Sequence, residues 1–346
     1  MPIFNFYKFE NKQADDKSSL FAVQEAEEAE ESIRKYKTPE ECFGRYFATK
    51  HTLMLNVLKS RGSGKDKETY YDIYRCDVVV PETEGIILLE LENNKSKSTI
   101  ENKQKVKHPD HPFCRVIIDN NPSHQIIAIE KNSAFDNNPD SAAFVLKHGF
   151  QNMLFQEHRV FDIKPLKKSS TEFWPVVWDI RQKFNDRVRH IKLDYKYNDN
   201  GKDEHSNADG LMAMISQLAK KGDCDALFEL KTKDKQEEIN LQELHDDISN
   251  IAAVCLKEGR YDLTVQFAHF GCYKYGSDLM AQFGVEDEVI DTFGASTDQL
   301  EIEFEDQSRK SKLGDWMDKM NDILADYTNE GTLQKGRKRG PRKKTR

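Results

Sequence analysis

Four strand-forming segments, broken by two turns, constrain this chain more than any other feature. YYDIYRCDVVV and GIILLELEN flank the turn PETEG, and CRVIID and QIIAIEKN flank NNPSH. Runs rich in Val, Ile and Tyr, bounded by Pro, Gly and Asn, read as strands joined by hairpins. The Asn-Pro step in the second turn has the right chemistry for a tight reversal. Two hairpins in succession predict a largely antiparallel sheet, so the N-terminal half reads as α+β.

The elements around the hairpins follow from local pattern. Ile3–Phe9 reads as a first strand, and QEAEEAEESIRKYK has helical composition with a thin apolar stripe that suits a surface. PEECFGRYFATKHTLMLNVLKS has apolar residues near helical spacing, and RGSGKDKE reads as a loop. NKSKSTIENKQKVKHPDHP, between the hairpins, reads as a polar, locally basic connection. DSAAFVLKHGFQNMLF is an amphipathic helix, and HRVFDIKPL a further strand.

The second half predicts a different order. VRHIKLDYKY, DALFELKTK, EEINL and YDLTVQFAHFGCY read as strands. SNADGLMAMISQLAKKG, with Ser206 as a candidate N-cap, and LQELHDDISNIAAVCLKEG, ending at Gly259, read as helices. The resulting βαββαβ order is the ferredoxin-like arrangement. DQLEIEFED suggests one more strand, and a helix through Leu313, Trp316, Met320, Ile323, Leu324 and Tyr327 closes the folded part. The expected organisation is an α+β domain over 1–170, a connection over 171–187 carrying two of the three Trp and packing between the halves, and a ferredoxin-like domain over 188–275. A strand and amphipathic helix follow over 276–330, and then a basic disordered tail over 331–346.

Charge separates along the chain. The whole sequence has 52 Lys+Arg against 60 Asp+Glu. Eight of those bases (Lys335, Arg337, Lys338, Arg339, Arg342, Lys343, Lys344 and Arg346) fall in one stretch that contains no acid. The other 334 residues therefore hold 44 bases against 60 acids, close to -16. A short positive segment beside a nucleic-acid backbone gains from counterion release. These eight residues are the candidate nucleic-acid contacts, with DNA the expected partner. The plainer reading of the same residues is a solvated tail or an address signal. KRGPRK, Lys338–Lys343, resembles the AT-hook, a minor-groove module, but lacks the arginine between Gly340 and Pro341. The resemblance therefore implies a backbone-contacting arm rather than a reader of A·T tracts.

Two acidic patterns resemble parts of the PD-(D/E)xK nuclease motif, in which paired acids hold Mg²⁺ and a lysine stabilises charge on phosphate. In the first, Glu229-Leu230-Lys231 supplies E-x-K, and Asp225 and Glu229 share a strand face with Lys231. In the second, Asp77 lies on the first strand of a hairpin and Glu90 and Glu92 on the second, with Glu92 where the motif has lysine. The alternative in both cases is a solvated strand face. His108, His111 and Cys114 have zinc-ligand chemistry and spacing, without an evident second pair. No dinucleotide fingerprint, P-loop or nucleophile-elbow motif occurs.

The six cysteines are scattered, and no apolar run reaches about 20 residues. The sequence thus reads as a cytoplasmic protein without a membrane partner or resident cofactor, of a composition common among small bacterial proteins. The functional expectation is a nucleic-acid-binding protein. A Mg²⁺-dependent nuclease is the enzymatic alternative. An assembly subunit, docking or self-associating through the Leu313–Tyr327 helix, is the third reading.

Overall fold

The structure, a computed structural model, describes residues 1–13, 38–61, 68–83, 85–101, 104–157, 159–167, 173–195, 210–234, 237–258, 261–276, 280–285, 303–325 and 327. It combines helix and strand around antiparallel pairing, as the alternating hairpin pattern requires. The chain divides into two compact units. One comprises Asn5–Leu166, Thr292–Asp315 and Asn329–Arg346, and the other Met1–Phe4, Lys167–Asp291 and Trp316–Thr328.

The unit built on Asn5–Leu166 contains β1 (Ile3–Gln13, from its third residue), α1 (Pro39–Gly44), β2 (Thr52–Arg61), β3 (Glu68–Thr83) and β4 (Ile86–Glu92). It continues with β5 (Lys95–Glu101), β6 (Gln104–Asp110), β7 (Phe113–Asp119), β8 (Ile126–Glu130), α2 (Pro139–Leu154) and β9 (Arg159–Pro165). Its sheet runs β1-β8-β7-β4-β3-β2, and β9 also pairs with β1. The two expected hairpins are β3–β4 and β7–β8, and β4 joins them by pairing antiparallel with β7. The apolar runs of β4, β7 and β8 are buried almost continuously, which places them at the middle of the sheet.

Two segments of this unit differ from expectation. The stretch predicted as one helix from Pro39 is helical only through Gly44, with a 3₁₀ turn at Arg45–Phe47. Thr52–Arg61 is strand β2, in register with β3 from Thr52↔Asp77 to Arg61↔Glu68. Leu55 and Val57 are buried while Met54 and Leu58 are exposed, so apolar residues on both faces imitated a helical stripe. The basic connection is also structured: β5 and β6 form a separate two-stranded sheet. The expected acidic helix at 24–37 and the loop at 62–67 lie outside the described residues.

Beneath this sheet lies an aromatic core. Phe43 meets Phe9, Phe47, Phe150 and Phe161 with ring centroids 4.9–5.8 Å apart, and all five are fully buried. Helix α2 starts at an N-cap where the Asn138 side chain accepts from the Asp140 amide at 3.2 Å, with Pro139 in the first turn. It approaches β2 so closely that a Cβ on Gly149 would sit 2.7 Å from the Leu55 Cβ.

The unit built on Lys167–Asp291 contains α3 (Phe173–Lys183), β10 (Val188–Tyr195), α4 (Leu211–Gly222), β11 (Ala226–Lys231) and α5 (Leu241–Glu258). β12 (Tyr261–Phe267), β13 (Gly271–Gly276) and β14 (Gln282–Val285) complete the sheet order β11-β10-β12-β13-β14. All four neighbouring pairs are antiparallel. The ferredoxin-like arrangement is not confirmed. Residues 237–240 of the expected strand EEINL are non-helical and unpaired as strand, and Leu241 already begins α5. The expected strand through Tyr273 is a hairpin of two, turned at Ala268–Phe270 by Asp186, which accepts from the His269 and Phe270 amides at 2.8 and 2.7 Å.

The Trp-bearing connection is helix α3, packed within this unit: Trp174 Nε1 donates to Ser249 Oγ at 2.6 Å and the indole stacks on His245. Ser206 and Gly259 lie outside the described residues, and α4 has Gly210 at its N-cap. The last described helix, α6 (Glu303–Leu324), takes in Glu303–Asp306 of the expected strand DQLEIEFED, whose residues 298–302 lie outside the described residues. Of the stripe expected to dock a partner, Trp316, Met320, Ile323 and Leu324 are buried, as is Met317, and Tyr327 is half-buried. No helix among the described residues is long and apolar enough to cross a membrane.

Candidate functional site

Of the sequence-derived sites, one is assembled by the strand register. Asp77 on β3 stands opposite Glu90 on β4, and Glu90 stands opposite Arg115 on β7. Glu92, two residues along β4, shares the Glu90 face. The hairpin therefore brings Asp77, Glu90 and Glu92 together as expected from their spacing.

The surrounding groups determine what these acids can do. Asp77 accepts from Thr52 Oγ1 at 2.5 Å and from Arg75 Nε at 3.1 Å, and Arg75 Nη2 lies 3.1 Å from its second oxygen. Arg75 also reaches Glu92, Nη1 to Oε1 at 3.8 Å, so one guanidinium bridges two acids. Burial raises the pKa of Glu90; Arg115 opposes the rise, while Asp77, Glu130 and Glu92 add to it. Glu130 is tied to the same strand, accepting from the Arg115 amide at 3.0 Å. The result is a strand face where acids alternate with arginines, and no lysine stands at the Glu92 position of the resembled motif.

The second acidic pattern is arranged differently. β11 is an edge strand with Ala226, Phe228 and Leu230 half-buried and Leu227, Glu229 and Lys231 exposed, the alternation its sequence predicts. Asp225 is exposed just before it. Glu229 Oε1 lies 3.1 Å from Lys192 Nζ, and Oε2 lies 3.4 Å from His190 Nε2, both on β10. The Lys192 hydrogen bond holds the Glu229 carboxyl below its ordinary pKa. Lys231 pairs in register with His190. This E-x-K is thus an ion-paired sheet edge.

Of the zinc candidates, Cys114 and His111 have described side chains, in different settings. Cys114 is fully buried in the core, and burial pushes its thiol well up. His111 is exposed, with Nδ1 3.9 Å from Glu92 Oε2. His108 is a β6 backbone position whose side chain lies outside the described part. Among the described residues no group of three or more His, Cys, Asp or Glu is arranged to hold a metal ion.

The basic residues Lys335, Arg337, Lys338, Arg339, Arg342, Lys343, Lys344 and Arg346 lie outside the described residues. Sequence reading missed the basic hairpin β5–β6. Its signal was the alternation of Lys103, Lys105 and Lys107 with polar and apolar neighbours, a period of two. Comparison with protein-family models, curated proteins and solved structures found no match to this chain.

Proposed function

We propose that this chain binds nucleic acid, DNA in the first instance, through basic segments carried by an acidic body. The observation that carries this reading is the segregation of charge: eight bases and no acid between Lys335 and Arg346, against 44 bases and 60 acids elsewhere. A body of that sign repels a phosphate backbone, so attraction has to be local. Tail residues that neutralise phosphates release counterions and make affinity fall steeply with salt. The six free cysteines support a reducing, cytoplasmic setting. The test is duplex binding by the full chain and by residues 1–334 across a salt series.

A second reading, a Mg²⁺-dependent nuclease, has one observation in its favour: Asp77 stands opposite Glu90 on a hairpin. It requires Mg²⁺-dependent cleavage that Asp77→Asn and Glu90→Gln abolish. Cleavage that survives both substitutions, or no cleavage with Mg²⁺, rejects it.

A further inference from the structure

We propose that the β5–β6 hairpin is a second nucleic-acid-contacting arm, a basic ribbon that takes duplex nucleic acid by its phosphate backbone. This rests on the nucleic-acid reading above but uses residues far from Lys335–Arg346.

The hairpin is an excursion from the centre of its sheet. The β4–β7 ladder ends at Glu92↔Phe113, Asn93 N donates to Pro112 O at 2.8 Å, and pairing resumes at Lys95↔Asp110 and runs to Glu101↔Gln104. Beyond that junction β5 and β6 pair only with each other, as a separate two-stranded sheet. Seven residues per strand give a ribbon about 20 Å long.

Its root is fixed. Asn93 Nδ2 donates to Ala134 O at 2.7 Å, and Lys95 Nζ donates to Ser133 O at 2.7 Å and reaches Asp136 Oδ1 at 2.8 Å. Asn132 Nδ2 donates to Phe113 O at 2.9 Å, and Asn94 Nδ2 donates to Ile73 O. These bonds tie both ends of the arm to the turn at Ser133–Phe135 and to β3, so less orientational freedom is lost on binding.

Its composition opposes that of its surroundings. Residues 96–109 hold Lys97, Lys103, Lys105, Lys107 and His108 against Glu101 alone, whereas Asn5–Leu166 as a whole has 23 Lys+Arg and 26 Asp+Glu. In register, Lys97 pairs with His108, Ser98 with Lys107 and Ile100 with Lys105, so bases occur along both strands. Lys105 and Lys107 are two residues apart on β6, roughly 6.7 Å of strand. A two-stranded ribbon fits the major groove of B-form DNA, about 12 Å wide. A ribbon of this composition suits phosphates better than it suits an apolar partner.

The test measures binding of a fluorescent 30-base-pair duplex between 50 and 200 mM NaCl. Four proteins are compared: the full chain, residues 1–334, the full chain with Lys97, Lys105 and Lys107 changed to Gln, and the full chain with the same three changed to Arg. The Gln variant is expected to lose about 2–3 units of salt slope, at about 0.9 per phosphate contact, and at least tenfold in affinity at 50 mM. The Arg variant is expected to bind like the parent, which separates lost charge from a disturbed hairpin. A Gln variant with unchanged slope overturns the arm while leaving the tail reading intact if residues 1–334 still lose affinity. A Gln variant that weakens while residues 1–334 bind normally supports the arm and rejects the tail. Absence of duplex binding by the full chain, including when a polyglutamate peptide is bound instead, overturns both.

Discussion

Asp77 and Glu90 face each other across β3 and β4, two acids in direct cross-strand register. Like charges placed opposite are destabilising by about 0.2–1 kcal/mol, so such a pair persists where other groups offset it. Arg75 does so for Asp77, and Arg115 opposes the raised pKa of Glu90.

The Glu90 shift has a definite sign for stability. Burial, with Asp77, Glu130 and Glu92, raises the folded-state pKa above the unfolded value. The folded state then binds more protons, and the carboxylate's cost grows as pH rises through that window. Glu90→Gln is therefore expected to match the parent near pH 4 and to be more stable by about 0.2–1 kcal/mol at pH 7.5 in urea denaturation. A Gln variant that is less stable at pH 7.5 contradicts this account. Arg115→Met should show the reverse trend, costing more at pH 7.5 than at pH 4.5.

Gly149 tests the helix–sheet contact. Alanine favours a helix interior over glycine by about 1 kcal/mol. Here its Cβ would lie 2.7 Å from the Cβ of fully buried Leu55, which has no flexible end to yield. Overpacking costs about 1–3 kcal/mol, so Gly149→Ala should lower the urea midpoint. Leu55→Gly, which removes that Cβ, should make the same substitution less harmful, a non-additivity that a double-mutant cycle reads directly. Additive costs would place the strain elsewhere.

Thiol chemistry tests the placement of the cysteines. Cys224 is exposed, and Cys42, Cys76, Cys114, Cys255 and Cys272 are buried. Burial also pushes the Cys42, Cys76 and Cys114 thiols up, against the thiolate form that reacts. A thiol-exchange reagent at neutral pH should find one fast equivalent in the native protein, none in Cys224→Ser, and six in the parent after guanidinium unfolding. Two or more fast equivalents in the native protein would contradict the core.

What the sequence made legible follows from how local each signal was. The hairpins β3–β4 and β7–β8 were readable because turn residues and β-branched runs act within a few positions. Thr52–Arg61 was not, because its apolar residues on two faces leave helix and strand ambiguous, and pairing with β3 decided it. EEINL looked like a strand, yet residues 237–240 only lead into α5, with Ile239 N donating to Val188 O at 3.0 Å. The opposition of Asp77 and Glu90 was visible as a hairpin relationship. The roles of Arg75, Arg115 and Glu130 were not, since register and burial across three strands set them.

The most direct measurement is duplex binding by the full chain and by residues 1–334 between 50 and 200 mM NaCl. The account predicts that the full chain loses about 10³-fold or more in affinity over that range. Removing the eight bases from Lys335 to Arg346 should flatten the slope by up to about 7 units and weaken binding at 50 mM. Equal affinity and slope in the two proteins, or no binding by the full chain at 50 mM, would contradict it.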